Sequence, residues 1–115
     1  MRHTVSLKNN REFRSLYARG KNTAGLYLAL YARKNRYGVT RLGITVSGKL
    51  GNAVTRNRIR RRIKEAYRIQ EEQIEQGFDI VIVGRSRVIG ADFSALRGEL
   101  LTLCKKMSLT RGGRR

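Results

Sequence analysis

From Arg56 to Arg68 the chain reads RNRIRRRIKEAYR. Seven of these thirteen residues are Arg or Lys, and Glu65 is the one acid. An apolar stripe threads the run, with Ile59, Ile63, Ala66, Gln70 and Ile74 at helical spacing and Tyr67 at the edge. The pattern predicts a helix from about Val54 to Gln76, stopped by Gly77. Such a helix must bury one face and present Asn57, Arg60, Arg61, Lys64 and Arg68 on the other. A disordered basic tail attracts polyanions without geometry, whereas a folded helix holds its cations in register. A solvated helix would also place acids at i+4 to relieve the repulsion. Seven bases with one acid call for an anionic partner, and Asn57 among them suits a phosphate or a base edge.

The whole chain carries the same excess. It has 26 Lys plus Arg against 8 Asp plus Glu, a net +18 over 115 residues. Arg outnumbers Lys, which favours planar, bidentate contact with phosphate. The length makes one domain, residues 1–115, burying roughly two-thirds of its unfolded surface. Residues 110–115, TRGGRR, read as a loose basic tail.

Around the basic helix the periodicities are clear. Asn9 caps a first helix, with Glu12 placed to complete a capping box, and Phe13, Leu16 and Tyr17 form its stripe before Gly20 ends it. Leu26 to Arg33 alternates as a half-buried strand, with Leu26, Leu28 and Leu30 on one side and Tyr27, Ala29 and Tyr31 on the other. Lys21 to Ala24 suits a short edge strand. After a turn at Lys34 to Gly38, Val39 to Ser47 alternates with Leu42, Ile44 and Val46 inward. Phe78 to Gly84, FDIVIVG, is nearly continuous apolar sequence and reads as a central strand covered on both faces. Asp92 caps a last helix, whose stripe is Phe93, Leu96, Leu100, Leu103, Cys104 and Met107. The sum is a small α+β sandwich.

Aromatic faces beside basic side chains hold single-stranded nucleic acid, and Phe13, Tyr17, Tyr27 and Tyr31 are the candidates. Pattern alone leaves Phe13 open between stacking a base and pinning its helix to the sheet, and Tyr27 open to covering sheet surface. Arg11, Arg14, Lys49, Arg85 and Arg87 add flanking charge. Catalytic groups are scarce. His3 is the lone histidine and sits in a terminus expected to be loose. The carboxylates form no two-metal arrangement, and no metal site is expected. Cys104 reads as core, and GITVSGKLG (Gly43 to Gly51) lacks phosphate-loop spacing. The absence of a disulfide framework, a signal segment or an apolar run of ~18 residues suggests a cytoplasmic protein without membrane contact.

The stretch Lys49-Leu50-Gly51-Asn52-Ala53-Val54-Thr55-Arg56-Asn57-Arg58 resembles the K-x-G-x-A-V-x-R-N-R signature of the protein subunit of bacterial ribonuclease P. The similarity extends over residues 5–107. It includes Asn10 to Tyr17 (N-x-x-F-x-x-[VL]-[FY]), the strand ending at Tyr31, Arg41 to Ser47, and Asp79 to Val83. The resemblance implies an α-β-β-β-α-β-α order akin to a ribosomal-protein domain, with a left-handed β-α-β crossover through the basic helix. It implies one protein bound to one catalytic RNA, which uses magnesium ions to hydrolyse the 5′ leader from precursor tRNA. Arg56, Asn57 and Arg58, with Arg61 and Lys49, match the positions that bind the RNA subunit. Phe13, Tyr17, Tyr31, Arg60, Lys64 and Arg68 match a cleft for the leader. Tyr17 departs from the commoner Phe, and Arg62 adds a charge where the family is often apolar. Two rivals share parts of the pattern: a ribosomal or general RNA-binding protein of similar fold, and a self-sufficient nuclease, which the missing His and carboxylate cluster disfavours.

Overall fold

The computed structural model describes residues 1–111. Strands β1 (Thr4–Ser6), β2 (Lys21–Ala24), β3 (Leu28–Lys34), β4 (Thr40–Val46) and β5 (Phe78–Gly84) form one sheet in the order β1-β4-β5-β3-β2. Helices α1 (Asn10–Arg19), α2 (Ala53–Arg68) and α3 (Phe93–Lys106) complete the fold. The apolar run FDIVIVG is the central strand, as its composition predicts. It pairs antiparallel with β3 and parallel with β4. Because β4 and β5 are parallel, α2 is the crossover of a β-α-β unit.

Strand alternation sends the two sets of side chains to different helices. Leu28, Leu30, Leu42, Ile80 and Ile82 pack with Ile59, Ile63, Ala66 and Tyr67 of α2 and Leu96, Leu100 and Leu103 of α3. Cys104 lies in this core, where burial pushes its thiol up to about 12. On the opposite face Val81, Val83 and Tyr31 meet Leu16 and Phe13 of α1, with Leu7. Thus α2 and α3 make the second layer of the sandwich, and α1 lies across part of the other face.

Several local expectations give way to longer-range contacts. Strand β1 had no alternation to announce it and precedes the expected order; it pairs parallel with Thr40 to Leu42. The N-terminus, expected to be loose, is held there. The backbone N–H groups of Arg2 and His3 donate to Glu71 at 3.0 and 2.9 Å, and His3 Nε2 lies 3.1 Å from Glu72. Helix α2 ends at Arg68 rather than Gln76, followed by a 3₁₀ turn at Glu71–Gln73. The apolar spacing continues to Ile74. However, three acids at a helix C-terminus oppose its dipole, and Glu71 is drawn inward by the N-terminal strand. Buried Gln70 meets the carbonyls of Ala66 and Arg97 at 3.0 and 3.1 Å.

Leu26, expected within the strand and on one side with Leu28 and Leu30, is 49% exposed and precedes β3. The Glu99 carboxylate accepts the N–H groups of Leu26, Tyr27 and Leu28, each at 2.8 Å, and so shapes a turn there. Asn9 caps α1 through the Arg11 N–H, but no capping box forms because Glu12 reaches Arg41 instead. The chain beyond α3 is held as far as Arg111, whose N–H donates to Gln73 O at 2.7 Å. The rest of the tail expected from Thr110, residues 112–115, lies outside the described residues.

Burial works against the Glu71 charge, but the Thr4 hydroxyl and the Arg2 and His3 N–H groups hold its carboxyl below the ordinary range. A carboxyl depressed in the folded state binds its proton more readily when unfolded. Its contribution is therefore present above roughly pH 4 and is lost as pH falls through the lower folded value. We expect the melting temperature to drop below about pH 4, and the Glu71→Gln variant to melt lower at neutral pH but with a shallower acid fall. Melting curves between pH 7 and pH 3 test this, and parallel profiles would refute it.

Candidate nucleic-acid interface

Strand β1 covers the edge of β4 only over Thr40 to Leu42, and its last contact is the Leu7 N–H to Leu42 O at 2.9 Å. Past Leu42 that edge of β4 has no neighbouring strand among the described residues. The open edge is the floor of a groove with α1 on one wall and α2 on the other. One end is a hollow lined by Phe13, Ile44, Lys64 and the segment Thr4 to Lys8. The other end is lined by Asn10, Phe13, Arg14, Tyr17, Thr45 and Arg60. Phe13 and Ile44 line both, so the two hollows adjoin at these residues.

The aromatic wall is a ladder. Phe13 and Tyr17 sit one helical turn apart with ring centroids 6.4 Å apart, and Tyr31 meets Tyr17 edge-on at 4.9 Å. Phe13 and Tyr31 are half-buried, and Tyr17 is exposed. Phe13 pins α1 to the sheet and also leaves ring surface on the groove. Two residues that pattern reading passed over hold the ladder. The Tyr17 phenol and the Thr45 hydroxyl are 2.8 Å apart. At Gly43 a Cβ would lie 2.4 Å from the Phe13 ring, so only glycine leaves the ring its place. A glycine inside an alternating strand signals such a close approach. Tyr27 packs instead against the core shared by α2 and α3.

The cationic wall follows from the helical period. Burying Ile59, Ile63, Ala66 and Tyr67 turns Arg60 and Lys64, four apart, along the flank beside the groove. Arg58, Arg61 and Arg62 fall on the flank toward α3, around a separate hollow with Phe93. Arg62 donates to the Ala91 carbonyl, so its added charge lies on that flank and leaves the buried arc intact. Arg68 stands one turn beyond Lys64, beside Met1 and Arg2 and outside the groove. It pairs with Glu65 at 2.6 Å.

At the start of α2, Asn52 caps the helix by accepting the Thr55 N–H at 2.9 Å. Arg56 Nε folds back to Gly51 O at 3.2 Å, and Asn57 Oδ1 accepts from Arg60 at 3.2 Å. Lys49, Asn57, Arg58 and Arg61 are exposed, and Arg56 is half-buried. The helix dipole adds partial positive charge at this end. Among the described residues, no His, Cys, Asp and Glu side chains gather into a group able to hold a metal ion. No described helix is long and apolar enough to cross a membrane.

Rings on one wall, cations on the other and an open strand edge between them are an arrangement that suits a nucleic-acid-binding protein. The particular family follows from comparison. A family model described as ribonuclease P matches residues 1–108. The ribonuclease P protein component of Thermoanaerobacter sp. (strain X514) is 37% identical over 111 residues, 96% of each chain. That of Lachnoclostridium phytofermentans is 44% identical over 100 residues, 87% of this chain and 86% of the relative. The solved ribonuclease P protein from Thermotoga maritima superposes with a TM-score of 0.81 at 34% identity, over 88% of this chain and 96% of that one. The chain belongs to the ribonuclease P protein family, and its activity is that of a holoenzyme subunit whose partner is ribonuclease P RNA.

Proposed function

We propose that this subunit guides the 5′ leader of precursor tRNA along the β4-edge groove while the first turns of α2 seat on the catalytic RNA. The observation that carries this reading is the pairing of the Phe13–Tyr17 wall with Arg60 and Lys64 across one groove. Leader bases stack on the rings, and leader phosphates meet the two cations. Lys49, Arg56, Asn57, Arg58 and Arg61 contact the RNA subunit, aided by the helix N-terminus. Magnesium held on the RNA supplies the hydrolytic chemistry. The protein's own residues bind, orient and screen charge, for which its net +18 suits it. One protein per RNA, in the cytoplasm, completes the reading.

The test is the salt dependence of precursor binding by the reconstituted holoenzyme. Arg60→Gln with Lys64→Gln is expected to flatten the log K against log salt slope by about 0.7 per lost contact to a single strand. Mature tRNA, which lacks the leader, should bind with its slope unchanged. Equal flattening for both ligands would assign the two side chains to general RNA contact and overturn the leader reading.

A further inference from the structure

Helix α1 divides the sheet face that it covers. Phe13 and Tyr17 face the leader groove on one flank, while Arg11, Glu12 and Ser15 face a second hollow on the other. This hollow lies at the start of β4, opposite the end that leads into α2. Its floor is the Arg41 guanidinium, gripped by Asp79 through two bonds of 2.8 Å and by Glu12 at 2.9 Å. The Tyr37 ring stacks on that guanidinium at 4.4 Å, yet the residue remains 63% exposed.

The loop that carries Tyr37 is tied down. Asn35 Oδ1 accepts the Tyr37 N–H at 2.9 Å, and Asn35 Nδ2 donates to Val39 O and Asp79 Oδ1 at 3.0 and 2.9 Å. A large ring is therefore presented to solvent in a set orientation, with a cation behind it. Arg11, Lys34 and Arg36 stand exposed around the hollow. The two carboxylates in its lining, Glu12 and Asp79, are both engaged by Arg41 and leave that fringe of positive charge uncancelled.

We propose that this second hollow binds one unpaired nucleotide of the catalytic RNA, its base stacked on Tyr37 and its phosphate held by Arg11 and Arg36. An aromatic face with adjacent guanidinium groups is the means by which proteins take a base out of single-stranded or bulged RNA. The RNA subunit is the source rather than the leader. A leader lying in the first groove would have to climb over α1, roughly 10 Å across, to reach Tyr37. The inference rests on the partnership with ribonuclease P RNA and is independent of the leader assignment.

Titration of the full chain against full-length catalytic RNA, without substrate, tests it. Tyr37→Ala is expected to weaken binding about fivefold or more, while Tyr37→Phe retains the affinity. Arg11→Gln with Arg36→Gln is expected to flatten the salt slope by about 0.7 to 0.9 per lost phosphate contact. The preference of the holoenzyme for precursor over mature tRNA stays unchanged in all three. The arginine pair is exposed, so its result stands even if Tyr37→Ala loosens the loop. Wild-type affinity and slope in Tyr37→Ala and the arginine pair, or losses that arise only with precursor present, would overturn the proposal. Failure of the leader reading would appear in the Arg60 and Lys64 variants instead.

Discussion

Asp79→Ala is expected to remove about 3 kcal/mol of folding stability, the largest loss we foresee from a single charged side chain. Asp79 sits on the central strand with its side chain 6% exposed. Register places it opposite Arg41 on β4, and the two meet through paired 2.8 Å hydrogen bonds. Burial opposes the Asp79 charge, but Arg41 and Asn35 hold its carboxyl below the ordinary range. Asp79 and Glu12 in turn outweigh the cost of burial and keep the Arg41 guanidinium firmly protonated. Deleting the carboxylate leaves Arg41 with Glu12 alone and takes an acceptor from Asn35. Breaking one side of such a pair typically costs roughly 3–5 kcal/mol, and the 19% exposure of Arg41 places the effect at the low end. Glu12→Gln should cost about 1 kcal/mol or less, because its side chain is 29% exposed and meets Arg41 through one bond. Urea unfolding distinguishes the two, and a loss below about 1 kcal/mol for Asp79→Ala would mean that water screens the cluster. The cluster also bears on function. Through Glu12 it ties α1, the wall shared by both grooves, to the sheet.

How much of this was legible in the sequence depended on the range of the interaction. The buried arc of α2 repeats every turn, so Ile59, Ile63, Ala66 and Tyr67 declared it without tertiary information. The end of α2 did not declare itself. The stripe runs on through Gln70 and Ile74, and what stops the helix is the capture of the Arg2 and His3 N–H groups by Glu71, some 68 residues away in sequence. Strand β1 is illegible for the same reason: three residues carry no period, and their order comes from Thr40 to Leu42. The Arg41–Asp79 pair was hidden because each reads as a polar residue at a strand start. Only the parallel register of β4 and β5 makes them partners.

The site divides along the same line. Phe13 and Tyr17 lie four apart on one helix, and their shared face was predictable. That Arg60 and Lys64 stand across a groove from them depends on where α1 and α2 sit around the β4 edge. The residues supplied that placement only through the resemblance to a known family. Thr45 and Gly43 support the rings from a strand whose alternation spoke only of core. Tyr37, in a loop predicted merely as a turn, owes its fixed exposure to Arg41 beneath it.

The same reasoning sets the expected result for the aromatic wall. Phe13→Ala should weaken binding of leader-bearing precursor by about 1–3 kcal/mol, the range for one lost stacking surface, and Tyr31→Ala, which lies outside the groove lining, should weaken it by removing the support of the Tyr17 ring. Tyr31 acts through Tyr17, whose ring it meets edge-on at 4.9 Å, so the two losses should couple rather than add. Both side chains also pack around Leu16, and truncation will lower the melting temperature as well. Stability alone is therefore an ambiguous readout. The ratio of precursor to mature tRNA affinity is not, provided that the catalytic RNA is saturated with protein, because every complex then carries a folded subunit. At saturating protein the ratio should fall about fivefold or more for each variant, while affinity for the catalytic RNA in the absence of substrate holds. Tyr17→Phe keeps the ring but loses the bond to the Thr45 hydroxyl, and should change the ratio much less. Equal loss for precursor and mature tRNA would leave the rings as packing for α1 and remove the leader from the groove.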